Sequence, residues 1–282
     1  MIREHAMCIG CIDHFLSDAN GRIGLFILLF FGMLAMLGPV LAPYSAGQSS
    51  GIPLAPPTRV HPLGVNDIGE DILANLLLGC RHSLIVGLVV GCVSVIISLV
   101  VGLLAALLGR VVDRFLMRLV DVLIALPNLL LFILISAYVR PSTTTLIVML
   151  ALLSWQYGAR VIRGQAMVLF RQGHVLASRS FGGSLVYVTF RHVIPDLFPI
   201  LVVGFVMRTR FAILSEAGLA FLGIGDPLAP SLGKMISACM EYIFLPVWAW
   251  WLLPAGLALS GLIVGFTLLG ITLEKKFDPS LD

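Results

Sequence analysis

Charge is scarce in this sequence. Only 12% of its 282 residues are Asp, Glu, Lys or Arg, while 59% are hydrophobic; soluble domains carry about 25% charged residues. A water-soluble fold cannot hide that much apolar surface, so the solvent for most of the chain is lipid. The net charge of +3 is too small to suggest nucleic acid as a partner. Cysteines are few and odd in number (Cys8, Cys11, Cys80, Cys92 and Cys239), which implies no disulfide framework. Catalytic signatures are missing as well. Gly233-Lys234 is followed by Met235 rather than the Ser or Thr of a phosphate loop, and there is no His-Glu-x-x-His and no nucleophile elbow. The chain should therefore be no enzyme, and any energy source must be an ion gradient or a separate partner.

What the sequence has in abundance is long apolar runs. Broken at charge, proline and glycine, they predict spans near 23–43, 83–108, 119–139, 144–160, 196–222 and 247–271. The run from Ile23 has no small-x-small cleavage pattern and is read as a retained span. Six crossings put both termini on one side, and the charges choose it. Arg3, Arg22, Arg110, Arg114, Arg118, Arg160, Arg163, Arg171, Arg179, Arg191, Lys275 and Lys276 fall on one face, against Arg59, Arg81, Arg140 and Lys234 on the other. Positive loops stay cytoplasmic. The tail 1–22, the loop 160–192 and the tail 272–282 are therefore expected inside, and segment 44–82 outside. In that outer segment Asp71 to Leu78 has helical composition and suggests a small cap over a pore.

Inside the bilayer, Gly87/Gly91 and Gly261/Gly265 are small-x-x-x-small pairs suited to close helix approach. Trp248, Trp250 and Trp251 open the last span, where indole rings are expected at headgroup level. Arg208 and Arg210 fall within the fifth span, where a charge costs roughly 2.5–3.5 kcal/mol on insertion scales. Residues two apart point about 200° from each other on a helix, so the pair is not expected to line one pathway together. Two readings stand. Either one arginine faces a water-filled path and favours anionic groups on a substrate while the other pairs with a carboxylate, or both form structural ion pairs. Glu216 lies two turns beyond Arg208. At the amino terminus His5, Cys8, Cys11 and His14 recur every three residues, which reads either as a metal-ligand set or as chance.

The stretch WQYGARVIRGQAMVLFRQGHVLASRSFGGSLVYVTFRHVIP, Trp155 to Pro195, is far too long for a turn between spans. Here the sequence resembles the permease subunits of the oligopeptide/dipeptide/nickel branch of ABC importers. Ala177, Ser178 and Gly182, followed by His192 and Pro195, match that family's loop motif. The run HPLGVNDIGED from His61 to Asp71 resembles its external segment, with Val65, Asn66 and Glu70 as departures. Asp121 with Pro127, Glu216 to Gly225, Pro230 to Gly233, and Asp278-Pro279 also match.

The resemblance implies an all-α membrane protein with six transmembrane helices, the type I importer permease fold, in the cell inner membrane. It also implies a short coupling helix, Val175 to Ser180, that sits in a groove of an ATPase. Val175, Ala177, Ser178 and Arg179 would dock there, and Gly182 and Gly183 would end the helix. Gly173 and Leu176 stand where the family commonly has glutamates, so apolar contact is expected to outweigh any salt bridge. The partners implied are a second homologous permease, two ATP-binding subunits that use ATP and magnesium, an external solute-binding protein and membrane lipid. No cofactor is implied in this chain. The implied cargo is a peptide, with nickel or a metal chelate as the alternative. A secondary transporter driven by an ion gradient is the reading from another class.

Overall fold

In the computed structural model, residues 18–42, 44, 47–49 and 51–277 are described. The proposed metal set His5, Cys8, Cys11 and His14 lies outside them, as does Asp278-Pro279. Helices account for most of the chain, and among the described residues β pairing is limited to two isolated bridges, Ser49–Glu70 and Val65–Asp71.

Chain order is as follows: α1 (Ala19–Leu41), α2 (Ile72–Leu107), α3 (Arg110–Ala125), α4 (Asn128–Ser136), α5 (Thr143–Leu152), α6 (Gln156–Leu169), α7 (Gly173–Ser180) and α8 (Leu185–Val188) come first. A π turn (Thr189–Val193), α9 (Ile194–Phe221), α10 (Leu232–Met240), a 3₁₀ turn (Pro246–Ala249) and α11 (Leu252–Phe277) follow. Four continuous helical stretches, 19–40, 72–107, 185–221 and 246–276, are long and apolar enough to cross a membrane. Two more crossings arise only if α3 with α4, bent by 82°, and α5 with α6, bent by 40°, each count as one.

Local chemistry sets these boundaries. Asp71 caps α2 by accepting the Ala74 N–H at 2.8 Å, so the helix expected over Asp71 to Leu78 as a small external cap is instead the first part of the second long helix. Its carboxylate also takes His61 Nδ1 at 2.8 Å, which ties segment 51–71 to the helix it precedes. The third span was expected near 119–139; helix begins earlier, at Arg110. Pro127 holds Leu126 extended (φ −82°, ψ 132°), because the residue before a proline avoids the helical region, and the span turns there.

The fifth crossing starts earlier than expected: helix begins at Leu185, capped by Ser184, and passes through the π turn into α9. At the last span the tryptophans divide. Trp248 is exposed, but Trp251 is buried at 1% and stacks on Tyr242, so that ring packs the core instead of anchoring at the headgroups. Near Trp250 lies Gly64 (φ +74°), where a Cβ would come within 2.6 Å of the Ala55 carbonyl oxygen and 3.1 Å of the indole.

The bundle is organised around α2. It runs antiparallel to α9 and packs against α1, α5 and α6. Small residues permit this. A Cβ on Gly87 would lie 2.5 Å from Ile213 Cγ1, and one on Gly91 would lie 2.3 Å from Thr209 Oγ1. On α11, Gly261 and Gly265 admit Phe31 and Leu28 of α1 in the same way, as the small-residue spacing predicts. Serines supply polar contacts on the same surface of α2: Ser94 bonds Ser154 at 2.6 Å and Ser98 donates to the Trp155 carbonyl at 2.7 Å.

Gly91→Leu should overpack the α2–α9 contact and destabilise the protein by about 1–3 kcal/mol. Gly32→Ala, where nothing lies within 4 Å of the added Cβ, should be neutral or slightly stabilising. Thermal unfolding in detergent micelles, followed by tryptophan fluorescence, distinguishes the two.

Candidate functional site

One candidate surface is the loop between α6 and α9. Gln172 leads into α7, an eight-residue helix. Gly182 (φ +91°) ends it in the left-handed region: its N–H bonds the Arg179 carbonyl and the Gly183 N–H bonds the Ser178 carbonyl, each at 3.0 Å. This is a Schellman termination, and both glycines are needed. A Cβ on Gly183 would lie 2.7 Å from the Ser178 carbonyl oxygen. Val175 is fully buried, in one cluster with Leu103 of α2, Ile162 and Ala166 of α6, and Leu197 of α9. Ala177 and Arg179 are exposed, and Ser178 is half-buried.

Around α7 the outward surface carries large apolar side chains, Leu176, Phe181, Val186, Tyr187 and Phe190, all exposed and Phe181 at 92%, among the exposed Arg171, His174, Arg179 and Arg191. His174 reaches Asp196 at 3.1 Å and its ring meets that of His192. Two arginines of the loop expected inside, Arg160 and Arg163, are held by acids of this same chain, the first pair exposed and the second partly buried. They bond Asp121 and Asp113 of α3.

The second candidate is an open cleft of about 870 Å³ among α2, α6, α9 and α11, lined by Ser98, Tyr157, Gln165, Arg208, Arg210 and Glu274. Both arginines line it, contrary to the expectation from their 200° separation. The cleft wraps around α9, and each long side chain bends toward it from its own flank. The Arg208 guanidinium carbon lies 6.0 Å from the centre of the Tyr157 ring, a cation–π arrangement. Arg210 Nη1 donates to Thr267 Oγ1 at 3.3 Å. Neither forms an ion pair among the described residues, so the expected carboxylate partner is not found there. Tyr157, Gln165 and Glu274 carry no sequence signal as cleft residues; the packing of α6 and α11 beside α9 places them there.

Glu216 is not part of the cleft. Buried at 1%, it accepts hydrogen bonds from Ser83 Oγ (2.8 Å) and Ser231 Oγ (2.7 Å), with His82 Nε2 at 3.9 Å. Its offset of roughly 80° from Arg208 around the helix and two turns along it put it inside the α2–α9–α10 junction, a correction to its expected place on a pathway. Beside it, Lys234 Nζ donates to the Asp226, Pro227 and Ala229 carbonyls, and Asp226 accepts the Thr143 N–H and hydroxyl. Partial burial pushes the Asp226 carboxyl up, but hydrogen bonds from the Leu228 N–H and from Thr143 outweigh it and hold the group below the usual range. Among the described residues no group of three His, Cys, Asp or Glu is arranged to hold a metal ion.

The described residues thus form a bundle of apolar helices with a short helix held against one end and an open cleft carrying Arg208, Arg210 and Glu274. Residues 98–282 match the family described as binding-protein-dependent transport system inner membrane component, and the chain belongs to that family of ABC importer permeases, with the all-α type I permease fold. A dipeptide transport system permease protein of Bacillus subtilis (strain 168) is 33% identical over 261 residues, covering 92% of this chain and 81% of that protein. A putative peptide permease protein of Brucella ovis is 34% identical, covering 95% and 89%. An oligopeptide transport system permease protein of Bacillus subtilis is 29% identical, covering 95% and 88%. The chain is thus an inner-membrane component of a bacterial transporter.

Gly182→Val should strain the end of α7 by about 1–2 kcal/mol, since an L side chain is disfavoured at that φ, and should speed protease cleavage within residues 170–191. Gly173→Ala, which adds a Cβ to open space, should leave the cleavage rate unchanged.

Proposed function

We propose that this chain forms half of the translocation pathway of an ATP-driven peptide importer, with α7 as the coupling helix gripped by an ATPase. The observation that carries this is the contrast within α7. Val175 is locked into the cluster joining α2, α6 and α9, while the surface on the other side is open and carries exposed Leu176, Phe181, Val186 and Phe190 among arginines. A push on that surface reaches three spans at once through a packed contact, so α7 acts as a lever for rigid-body movement. With Gly173 and Leu176 in place of acids, the grip is by shape and apolar contact.

Peptides are the cargo favoured by the names of the relatives. The partners are a second homologous permease subunit, two ATP-binding subunits that consume ATP with magnesium, and an external solute-binding protein. Both termini and α7 face the cytoplasm, as the excess of arginine at that end supports. Within the pathway, the Arg208/Arg210 cleft receives the peptide carboxylate. Arg208 is the stronger candidate to bind it, because its guanidinium meets only the Tyr157 ring, whereas Arg210 already gives a donor to Thr267.

Two experiments test this reading. Ser178→Cys should crosslink to the ATPase groove in the assembled transporter; crosslinking of a cysteine at Ser49 in its place would contradict the docking. Arg208→Leu should lower uptake of a peptide with a free carboxylate roughly ten- to hundredfold, the worth of a hydrogen bond to a charged group, and leave a C-terminally amidated peptide unaffected. Equal loss for both peptides, with ATPase activity intact, would count against a carboxylate site.

A further inference from the structure

α3 has a face that neither the coupling surface nor the cleft uses. Its sequence, RVVDRFLMRLVDVLIA, places Arg110, Arg114 and Arg118 four residues apart, an edge spanning about 80° of the helix. All three are exposed, and none forms an ion pair or side-chain hydrogen bond among the described residues. Beside that edge lie Val111, Phe115, Leu119 and Val122, exposed at 79%, 69%, 43% and 55%. The opposite side packs inward through Val120, Met117 and Ile124 against Ile97, Val101 and Trp155. The helix therefore presents a basic edge and an apolar strip together, away from the protein.

Its orientation follows from two independent observations. α3 and α4 meet at 82°, so both cannot run along the bilayer normal. α4, NLLLFILIS, is apolar throughout between Asn128 and Ser136 and suits the hydrocarbon; α3, with three arginines and two aspartates, suits the interface. Asp113 and Asp121 are eight residues apart, about 12 Å along α3, yet they meet Arg163 and Arg160, only three residues or about 4.5 Å apart on α6. The two arginines thus splay along α3 and fix its acid-bearing side against α6. These pairs also consume both acids of α3, so its three remaining arginines act as a field of one sign.

We infer that α3 is an in-plane amphipathic helix whose Arg110–Arg114–Arg118 edge binds the headgroup phosphates of anionic phospholipids while Val111, Phe115, Leu119 and Val122 enter the acyl region. A strip of apolar side chains flanked by unpaired arginines is the pattern of interfacial lipid binding. A protein partner on the same face would need acids for three guanidiniums, whereas lipid phosphates neutralise them without removing them from the headgroup layer. This inference does not depend on the cargo or on the role of α7.

The test uses the full chain purified in an uncharged detergent and titrated with short-chain phosphatidylglycerol or phosphatidylcholine, with bound lipid counted by native mass spectrometry. Wild type should prefer phosphatidylglycerol, each arginine near an anionic group contributing up to about fivefold, and the preference should shrink as salt rises. R110Q/R114Q/R118Q should lose it, R110K/R114K/R118K should keep most of it, and R59Q/R140Q at the other end should leave it intact. Inorganic phosphate at equal concentration should not displace the lipid. The proposal is overturned if the glutamine variant keeps the preference, if the two lipids bind alike to wild type, if inorganic phosphate competes equally, or if the glutamine variant binds lipid normally but no longer retains a second permease chain.

Discussion

Everything else in the bundle is registered by the contact between α2 and α9. Gly87 and Gly91 leave no side chain between the helices, so Ile213 and Thr209 rest directly on the α2 backbone. In a lipid solvent there is no hydrophobic drive to bring helices together, and dispersion across such close surfaces has to supply it. Once this contact is set, Ser83 faces Glu216 and the next helices find their serine partners along α2. A larger residue at either glycine would separate the helices at the level where the bundle is held most closely.

The same contact organises function along α9. Leu197 near its start shares the apolar cluster of Val175, so the coupling surface is packed against the foot of this helix. Arg208 and Arg210 stand midway in the cleft. Glu216 near its end is enclosed by hydroxyl donors from α2 and from the start of α10. α7 and the cleft are thus joined by one continuous helix, α9, which packs against the first and lines the second.

Charge, so rare here, is spent in three distinct ways. Asp113 and Asp121 neutralise Arg163 and Arg160 between helices. Lys234 closes the 226–229 turn through backbone carbonyls. Arg208 sits over an aromatic ring and Arg210 beside a threonine hydroxyl, leaving both cationic within the cleft. Counting arginines along the sequence treats all of them alike; their partners separate those that hold the structure from those available to a ligand.

By itself the sequence determined the solvent, the number of apolar runs, the helix ending at Gly182 and the glycine pairs of close approach. These depend on composition and on spacings within one helix, which are local. The 82° turn at Pro127 was half legible: proline marked a break, but the direction after it depends on how α4 packs against α2 and α5. Only the tertiary structure decided that Glu216 is buried, that Arg160 and Arg163 pair with Asp121 and Asp113, and that Arg208 and Arg210 share a cleft with Tyr157 and Glu274. Each of these rests on contacts between residues far apart in the chain. A side chain several bonds long takes its direction from those neighbours, and helical periodicity fixes only where its Cα begins.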